Sequence, residues 1–279
     1  MDHKIVKKNV RRALEEDRVR NDLSIKALKS FAEKLITAKL TVKESAILCG
    51  TAWFEESFNQ VDPKIKIQWK FKEGDKLIKN SLVAIVKGPS NKVLSAERTA
   101  LNFLQLMSGI STKTSNIIKL IKNKNIKLLD TRKTIPGVRY EQKYSTKIGG
   151  AINHRFDLSD GLMIKDNHIA AVGGLDKFSF KKNLKKGKFL EIEVKKISQL
   201  KAALKLNPDI IMLDNFSASS LQKAIKIINK QCLVEISGIR DTKQFIEFSK
   251  FDVNFISLGD LTKNIQSIDF SLNLESLKI

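Results

Sequence analysis

The sequence predicts an α/β protein that consists of an N-terminal α+β sandwich domain and an incomplete α/β barrel. Two observations carry this prediction. In the later part of the chain, short apolar runs alternate with helical segments, and the runs ending at Glu193, Asp214 and Glu235 follow one another at 21 residues, the length of one βα unit. Over residues 1–103, strands and helices are mixed without a regular repeat, which is typical of an α+β layer structure.

The N-terminal domain is predicted over residues 1–103, with a C-terminal strand in 266–279 that returns to it as an edge strand. Its elements follow from helical spacing of apolar residues, from apolar and polar alternation, and from turn residues. They are a helix at 5–17, a second helix that begins near Ser24, a strand at Glu44–Leu48, a helix at Thr51–Val61, a strand at Lys64–Phe71, and a strand at Ser81–Val86 that Gly88-Pro89-Ser90 ends. Ser90 and Ser111 are the predicted starts of two successive helices, the second reaching Lys122.

The barrel domain is predicted over residues 104–265. Its strands are short apolar runs, as expected for parallel strands that are buried on both faces. A polar or small residue ends each run, at Asp130, Lys165, Glu193, Asp214, Glu235 and Gly259. Such residues share the C-terminal rim, which carries the chemistry of barrels of this kind. Six runs where a closed barrel needs eight indicate an incomplete barrel, and a doubly wound open sheet is the alternative.

The composition argues against several classes of protein. The net charge is +21, but lysine is spread over the whole chain and only two Tyr and two Trp are present to stack on bases, so no nucleic-acid partner is expected. Cys49 and Cys232 are far apart and lack a CxxC partner, which fits a reducing compartment. No secretory signal and no apolar run of membrane-spanning length are found, so a cytoplasmic protein with no membrane partner is expected.

Three motifs concentrate cations at predicted strand ends and beside glycines. They are DTRKTIPG at 130–137, GGAINHR at 149–155 and LMIKDNHI at 162–169. In this order and spacing they resemble the quinolinate phosphoribosyltransferase family. The resemblance implies an open barrel of about seven strands and a reaction of quinolinate with phosphoribosyl pyrophosphate that gives nicotinate mononucleotide, pyrophosphate and CO2. It also implies Mg²⁺ as cofactor and a homodimer or a dimer-based hexamer.

The resemblance assigns roles to the cationic residues. Arg132 would grip a carboxylate of quinolinate with His154 and Arg155, and a guanidinium fork matches a carboxylate better than lysine does. Thr131 and Lys133 belong to the same motif, and Lys133 would approach the phosphoribosyl group. For Lys165, at the end of an apolar run, the residues alone leave open a Schiff base or an anion site, and the resemblance favours the anion site.

Glu193 and Asp214 end successive strands, and two readings of this pair are open from the residues alone. They could be a general acid and base, or they could be oxygen ligands for Mg²⁺, directly or through water or substrate. The resemblance places them at the ribose and metal end of the site and, with Lys133, makes them the catalytic set. Glu191 should point to the same side of its strand as Glu193, so the choice between the two carboxylates rests on the resemblance.

Small residues at the last two strand ends would let backbone N–H groups approach a phosphate. The predicted contacts are Ser237, Gly238, Ile239, Leu258, Gly259 and Asp260, and the family more commonly has other residues at 239 and 260. The segment ERTALN at 97–102 resembles one whose arginine, here Arg98, enters the site of the neighbouring subunit. Phe156-Asp157 also departs from the family pattern. The rival functions are a related transferase with another base and a basic nucleic-acid-binding protein.

Overall fold

The computed structural model describes residues 1–27, 34–178 and 188–275. The chain divides into two compact units. The first comprises Met1–Ser115, Thr134–Gly150 and Leu261–Ile279, and the second comprises Asn116–Lys133 and Ala151–Asp260. The predicted boundary at residue 103 lies inside a long helix, and residues 134–150, which the sequence assigns to the barrel domain, belong to the first unit. In the described ranges, none of the helices has the length and apolar character needed to cross a membrane.

The first unit is built on a four-stranded antiparallel sheet with the order β12-β1-β5-β3. Its strands are β1 (Leu35–Val42), β3 (Lys66–Trp69), β5 (Leu82–Pro89) and β12 (Phe270–Leu274), and two short strands, β2 (Ala46–Ile47) and β4 (Lys76–Leu77), pair with each other. The helices are α1 (His3–Glu16), α2 (Leu23–Ala27), α3 (Thr51–Val61), α4 (Ser90–Lys119) and α5 (Arg139–Ile148). The C-terminal strand pairs with β1, which confirms the predicted return, although residues 276–279 lie outside the described part.

Two predictions for this unit are wrong in detail. The strand expected at Glu44–Leu48 is only the two-residue β2, whereas the eight-residue β1 was not predicted, although its inward positions are buried alternately. The break expected at Ser111 does not occur, because α4 continues through it. The Ser111 hydroxyl donates to the carbonyl of Ser108, and the Thr112 hydroxyl donates to the same carbonyl at 2.6 Å, so these polar side chains are satisfied within the helix.

The second unit contains the predicted barrel strands. In the described residues they form one six-stranded parallel sheet with the order β6-β11-β10-β9-β8-β7. The strands are β6 (Lys127–Leu129), β7 (Leu162–Ile164), β8 (Leu190–Val194), β9 (Ile210–Asp214), β10 (Leu233–Ser237) and β11 (Phe255–Ser257). The helices of this unit are α6 (Asp166–Val172), α7 (Leu200–Lys205), α8 (Ala218–Ile228) and α9 (Thr242–Phe248). A short helix, α10 (Asp260–Lys263), begins at the last residue of this unit and continues in the first unit.

The barrel is open, as predicted, and the described residues contribute six strands to it where about seven were expected. Where a seventh strand would add to β6, Ile152 makes a single parallel bridge to Leu129. The chain does not extend this bridge, because the buried carboxylate of Asp130 accepts hydrogen bonds from the next two residues, Asn153 and His154. A rim loop therefore stands where a further strand would run.

Candidate functional site

Register places the acidic residues of the barrel strands on one face of the sheet. Glu193 and Glu235 both pair with the same residue of β9, and Asp214 pairs with Ser237. Paired residues of neighbouring strands point to the same face, as do residues two apart on one strand, so Glu191 faces the same way. These five residues and the loops that follow the strands are called the strand-end face below.

Asp130 holds the first loop of this face in place. The residue is completely buried at the end of β6. Its Oδ1 atom accepts the backbone N–H of His154 at 2.9 Å, and its Oδ2 atom accepts the side-chain amide of Asn153 at 2.6 Å. Charge-assisted hydrogen bonds of this kind fix geometry better than neutral ones do. Asp130 thus orients the segment that carries His154 and Arg155.

Arg155 is held in a fixed position within the second unit. Only 8% of its surface is exposed, and its Nη1 atom donates to the carbonyl oxygen of Gly161 at 3.1 Å. Burial and the neighbouring charge of Arg132 lower its pKa from the ordinary value, while Glu191 opposes the change. An arginine nevertheless stays ionised in a protein. The charges of the two predicted arginines, Arg132 and Arg155, therefore act on each other across this part of the strand-end face.

The sequence assigned no role to Glu191 or Glu235, which form a buried cluster with His154 next to Arg155. The Nε2 atom of His154 lies 2.9 Å from Oε2 of Glu191 and 3.6 Å from Oε2 of Glu235. Both carboxyl groups are fully buried, and burial is the main cause that raises their pKa values well above the ordinary range. A signal was present in the sequence, because LEIEV and LVEIS each place a glutamate inside an apolar strand.

Lys165, Glu193 and Asp214 form a second group on the strand-end face. The ammonium nitrogen of Lys165 lies 3.6 Å from Oε2 of Glu193, whose side chain is 11% exposed. Burial raises the pKa of Glu193, Lys165 lowers it, and the carboxylates of Asp214 and Asp166 raise it. The predicted pair of acids is therefore close enough for mutual repulsion, and a cation from the neighbouring strand end stands beside it.

Two glycines after the last two barrel strands allow neighbouring side chains to come close to the backbone. Gly238 has φ of +77°, and an added Cβ would lie 2.6 Å from Oδ1 of Asn215. Asn215 in turn donates from its side chain to Oδ2 of Asp214 at 2.7 Å. At Gly259, an added Cβ would lie 2.8 Å from Cδ of Lys133, so this glycine leaves room for the lysine side chain. Both glycines thus set the position of a predicted site residue.

The remaining predicted residues lie in three places. The Thr131 hydroxyl accepts the backbone N–H of Lys133 at 3.1 Å, which organises the loop after β6. Leu258 is buried, Ile239 is partly buried, and Asp260 is exposed at the start of α10. Arg98 is exposed on α4, in the first unit.

Phe156 and Asp157, where the sequence departs from the family pattern, directly follow Arg155 in the chain. Asp157 is exposed and accepts hydrogen bonds from the backbone and hydroxyl of Ser159, both at 2.7 Å. These bonds lower its pKa below the ordinary value. The backbone N–H of Phe156 donates to Oδ2 of Asp160 at 2.7 Å. These contacts make a compact turn that leads to Gly161, the residue that accepts from Arg155.

The chain matches the models of two domains of one protein family, and the two matches together cover most of its length. The description "Quinolinate phosphoribosyl transferase, N-terminal domain" matches residues 22–108, and "Quinolinate phosphoribosyl transferase, C-terminal domain" matches residues 110–273. A relative from Bacillus subtilis, named as a probable nicotinate-nucleotide pyrophosphorylase (carboxylating), is 35% identical over 276 residues, which cover 98% of this chain and 95% of the relative.

Solved structures with similar sequences share the fold. The crystal structure of NadC from Streptococcus pyogenes has a TM-score of 0.92 at 35% identity and covers 100% of this chain and 99% of its own. The structure of the nicotinate-nucleotide pyrophosphorylase from Francisella tularensis has a TM-score of 0.92 at 39% identity and covers 99% of this chain and 98% of its own.

Proposed function

Since this chain belongs to the quinolinate phosphoribosyl transferase family and transfers phosphoribosyl from phosphoribosyl pyrophosphate to quinolinate with loss of CO2, we propose that the strand-end face is its active site. The products are nicotinate mononucleotide, pyrophosphate and CO2. The enzyme is therefore a nicotinate-nucleotide pyrophosphorylase (carboxylating) and takes part in NAD synthesis. The observation that carries the site assignment is the buried, fixed position of Arg155, whose Nη1 atom donates to the carbonyl of Gly161 on a loop that Asp130 holds at the end of the barrel strands.

The arginine pair suits a pyridine dicarboxylate. Quinolinate carries two carboxylates on adjacent ring carbons, and two guanidinium groups held close together can each receive one of them with paired hydrogen bonds. Before the substrate arrives, the two cations repel each other, and Arg155 is also partly desolvated. Binding a dianion relieves that repulsion. The pocket is therefore organised for the dicarboxylate rather than for a monoacid such as nicotinate.

Glu193 and Asp214 suit the ribose. As the bond between C1 of ribose and the diphosphate oxygen breaks, positive charge develops on the sugar, and the ring nitrogen of quinolinate forms the new bond to C1. Carboxylates of Glu193 and Asp214 would stabilise that charge, while Lys133 and Lys165 would hold phosphate oxygens. The ring nitrogen is then positive, so the bond to the 2-carboxylate breaks with its electron pair left on the ring, where a solvent proton replaces CO2. No step needs a nucleophilic side chain.

The residues at this end also fit Mg²⁺. Glu193 and Asp214 present carboxylate oxygens, which are the donors that Mg²⁺ prefers, and their mutual repulsion raises the pKa of Glu193 in addition to the effect of burial. These two acids would hold the ion, directly or through water, and substrate phosphates would complete its ligands. Mg²⁺ bound there would neutralise the charge of the leaving diphosphate. The phosphate end would be lined by Thr131, Ser237, Gly238, Ile239, Leu258, Gly259 and Asp260.

The assembly and the compartment are part of the proposal. We infer a homodimer, or a hexamer made of dimers, in which Arg98 of one subunit enters the site of its neighbour. The exposed position of Arg98 on α4 supports this, because an exposed arginine is free to meet a partner's bound anion. We also infer a cytoplasmic enzyme without a nucleic-acid partner, since the positive charge suits two highly anionic substrates.

One assay tests the activity directly. The purified chain is incubated with quinolinate, phosphoribosyl pyrophosphate and Mg²⁺, and the release of nicotinate mononucleotide and of CO2 from the 2-carboxylate is followed. Equal amounts of both products are expected. Product formation with nicotinate but not with quinolinate would contradict the assignment. Arg132→Lys, assayed beside the wild-type protein, is the matched variant that keeps the positive charge but loses the planar guanidinium fork.

A further inference from the structure

A glycine and an aromatic ring are in close contact beside Arg155. Gly161 ends the turn that follows Arg155, and Phe189 stands one residue before β8. An added Cβ at Gly161 would lie 2.8 Å from Cζ, 2.9 Å from Cε1 and 3.0 Å from Cε2 of Phe189. The backbone of Gly161 does not have a positive φ, so the neighbouring ring, and not the backbone conformation, requires a glycine here.

The segments that carry these two residues are also joined through their backbones. The N–H of Leu162 donates to the carbonyl of Phe189 at 2.9 Å. The ammonium group of Lys188 donates to the carbonyl of Ser159. The chain on both sides of Gly161 is thus attached to the start of β8. The ring of Phe189 therefore has a fixed place against Gly161.

Both members of this contact also touch groups that the proposed function assigns to the substrate dicarboxylate. The carbonyl of Gly161 accepts from Nη1 of Arg155 at 3.1 Å, and Sδ of Met163 lies 3.5 Å from Nη2. The ring of Phe189 meets the ring of His154 edge to face, with an interplanar angle of 73° and the centroids 5.8 Å apart. One aromatic ring therefore packs against His154 and against the residue that holds Arg155.

We propose that Phe189 and Gly161 are positioning residues that fix the guanidinium of Arg155 and the ring of His154 for binding of the dicarboxylate. The proposal rests on the proposed function for the identity of the ligand. Arg155 is only 8% exposed, and close-packed surroundings transmit a shift of one group to its neighbours. If the ring displaced the carbonyl of Gly161, the guanidinium would move with it. Paired hydrogen bonds to a carboxylate depend on that position.

Ordinary core packing is the alternative role for this contact. A contact that only fills space contributes to stability, and overpacking it lowers the free energy of unfolding without a preference for one substrate. A positioning contact instead affects the substrate that Arg155 and His154 meet. The two roles therefore differ in whether KM for quinolinate rises while KM for phosphoribosyl pyrophosphate stays constant.

Gly161→Ala, Phe189→Leu and the double variant test the positioning role. Leucine lacks counterparts of Cε1, Cε2 and Cζ, the three ring atoms that a methyl group at position 161 would meet. Gly161→Ala should raise KM for quinolinate by about tenfold or more, because a charge-assisted contact is displaced. Phe189→Leu should raise it by about threefold, because His154 loses the ring contact. The double variant should match Phe189→Leu, since the new methyl group occupies the vacated space.

The second substrate and a matched glycine provide the controls. KM for phosphoribosyl pyrophosphate should stay constant in all three variants. Gly88→Ala is the matched overpacking variant, because its Cβ would lie 2.8 Å from Cγ1 of Ile65, its φ is not positive, and it belongs to the first unit. Urea unfolding measures the stability of each variant. If Gly88→Ala raises KM for quinolinate as much as Gly161→Ala does, the effect is general destabilisation and the proposal is wrong.

NMR of the histidine rings tests the contact without any enzyme activity. The ring signal that disappears in His154→Gln identifies His154. Phe189→Leu should shift that signal, because it removes the ring current of the neighbouring phenyl group. Gly161→Ala should also shift it, since the phenyl ring must move, whereas Gly88→Ala should leave it in place. An unchanged His154 signal in both Phe189→Leu and Gly161→Ala would overturn the proposal.

The outcomes separate this proposal from the proposed function. If the wild-type protein makes no nicotinate mononucleotide, the enzyme assignment fails, and the NMR shifts still decide whether the contact positions His154. If the wild type is active and Gly161→Ala has the wild-type KM for quinolinate, or the double variant is as impaired as Gly161→Ala, the positioning role is wrong and the enzyme assignment stands.

Phe189→Leu decides the case in which Gly161→Ala does not fold. A rise in KM confined to quinolinate in Phe189→Leu supports the positioning role. An equal rise for both substrates, or no rise for either, overturns it.

Discussion

The ammonium nitrogen of Lys165 lies 3.6 Å from Oε2 of Glu193, across the ends of two neighbouring parallel strands. A cation proposed to hold a phosphate thus stands beside an acid proposed to face ribose and metal. Under the proposed function, anionic groups of the substrate would attract Lys165, and the positive charge that develops on the ribose would attract Glu193. The strand-end face holds both signs of charge side by side at this point.

Arg132→Lys should abolish measurable quinolinate binding while the protein remains folded. Lysine keeps the charge but cannot form the paired hydrogen bonds of a guanidinium, and loss of a desolvated charge contact costs about 2 to 5 kcal/mol. Arg155→Ala should have at least as large an effect. Isothermal titration with quinolinate measures both, and Arg11→Lys, an exposed position on α1, is the control. Near-normal affinity in Arg132→Lys would remove the dicarboxylate pocket from this site.

Activity should require Mg²⁺ or Mn²⁺, and Asp214→Asn should impair phosphoribosyl pyrophosphate more than quinolinate. An amide in place of the carboxylate removes a charge from the proposed metal and ribose end, which should raise KM for phosphoribosyl pyrophosphate by about tenfold or more. Initial rates at varied concentration of each substrate separate the two effects, with the exposed Asp252→Asn as control. Full turnover in excess chelator would disprove the metal requirement.

Arg98→Ala and Lys165→Ala should each be inactive but should complement each other when subunits are exchanged. A mixed dimer has one site with both the intact strand-end face of one subunit and the intact Arg98 of the other. With random pairing about half the dimers are mixed and each has one restored site in two, so the activity should approach about a quarter of wild type. If exchange is verified by mass tags and the mixture remains inactive, Arg98 does not act across an interface.

Gly238→Ala should weaken the use of phosphoribosyl pyrophosphate beyond its effect on stability. The residue has φ of +77°, and an added methyl group would lie 2.6 Å from Oδ1 of Asn215, which contacts Asp214. Gly173→Ala is the matched control, because its φ of +82° is similar and its nearest neighbour is the flexible end of Lys177. Both should lose about 1 to 2 kcal/mol of stability from backbone strain. Only Gly238→Ala should also raise the KM, and equal KM values would contradict this.

Glu235→Gln should reduce the loss of folding stability that accompanies a rise in pH from 4.5 to about 8. Burial raises the pKa of Glu235 from 4.5 to about 8, with Glu191 adding to the shift, so the folded state holds a proton that the unfolded state has released. This group's contribution to stability is complete below pH 4.5 and is lost as pH rises towards about 8. The slope for one such group is at most about 1.4 kcal/mol per pH unit.

Urea unfolding of wild type and Glu235→Gln at several pH values between 5 and 9, chosen to bracket that interval, measures this difference. The variant should gain stability relative to wild type as pH rises. Asp157→Asn, at an exposed carboxylate whose pKa is lowered, is the control and should show no gain over this range. Parallel curves for wild type and Glu235→Gln would mean that the carboxyl group of Glu235 is ionised throughout.

The sequence alone was sufficient for the α/β class, the α3 helix, the polar ends of the barrel strands and the family. These features depend on local patterns and on motifs such as DTRKTIPG, which are visible in a single chain. The break expected at Ser111 was wrong because a serine hydroxyl can either cap a new helix or bond a carbonyl of the preceding turn in a continuing helix, and here it bonds the carbonyl of Ser108.

Tertiary structure decided which side chains act together. Glu191 and Glu193 share a strand and a direction, yet Glu191 contacts His154 in the buried cluster and Glu193 contacts Lys165 near the surface. Nothing in the pattern LEIEV distinguishes them, because burial depends on how far each residue lies from the end of the strand and on what the rim loops cover. The 2.9 Å approach of His154 Nε2 to Oε2 of Glu191 likewise depends on how a loop and a strand lie together, and the sequence cannot specify that distance without the fold.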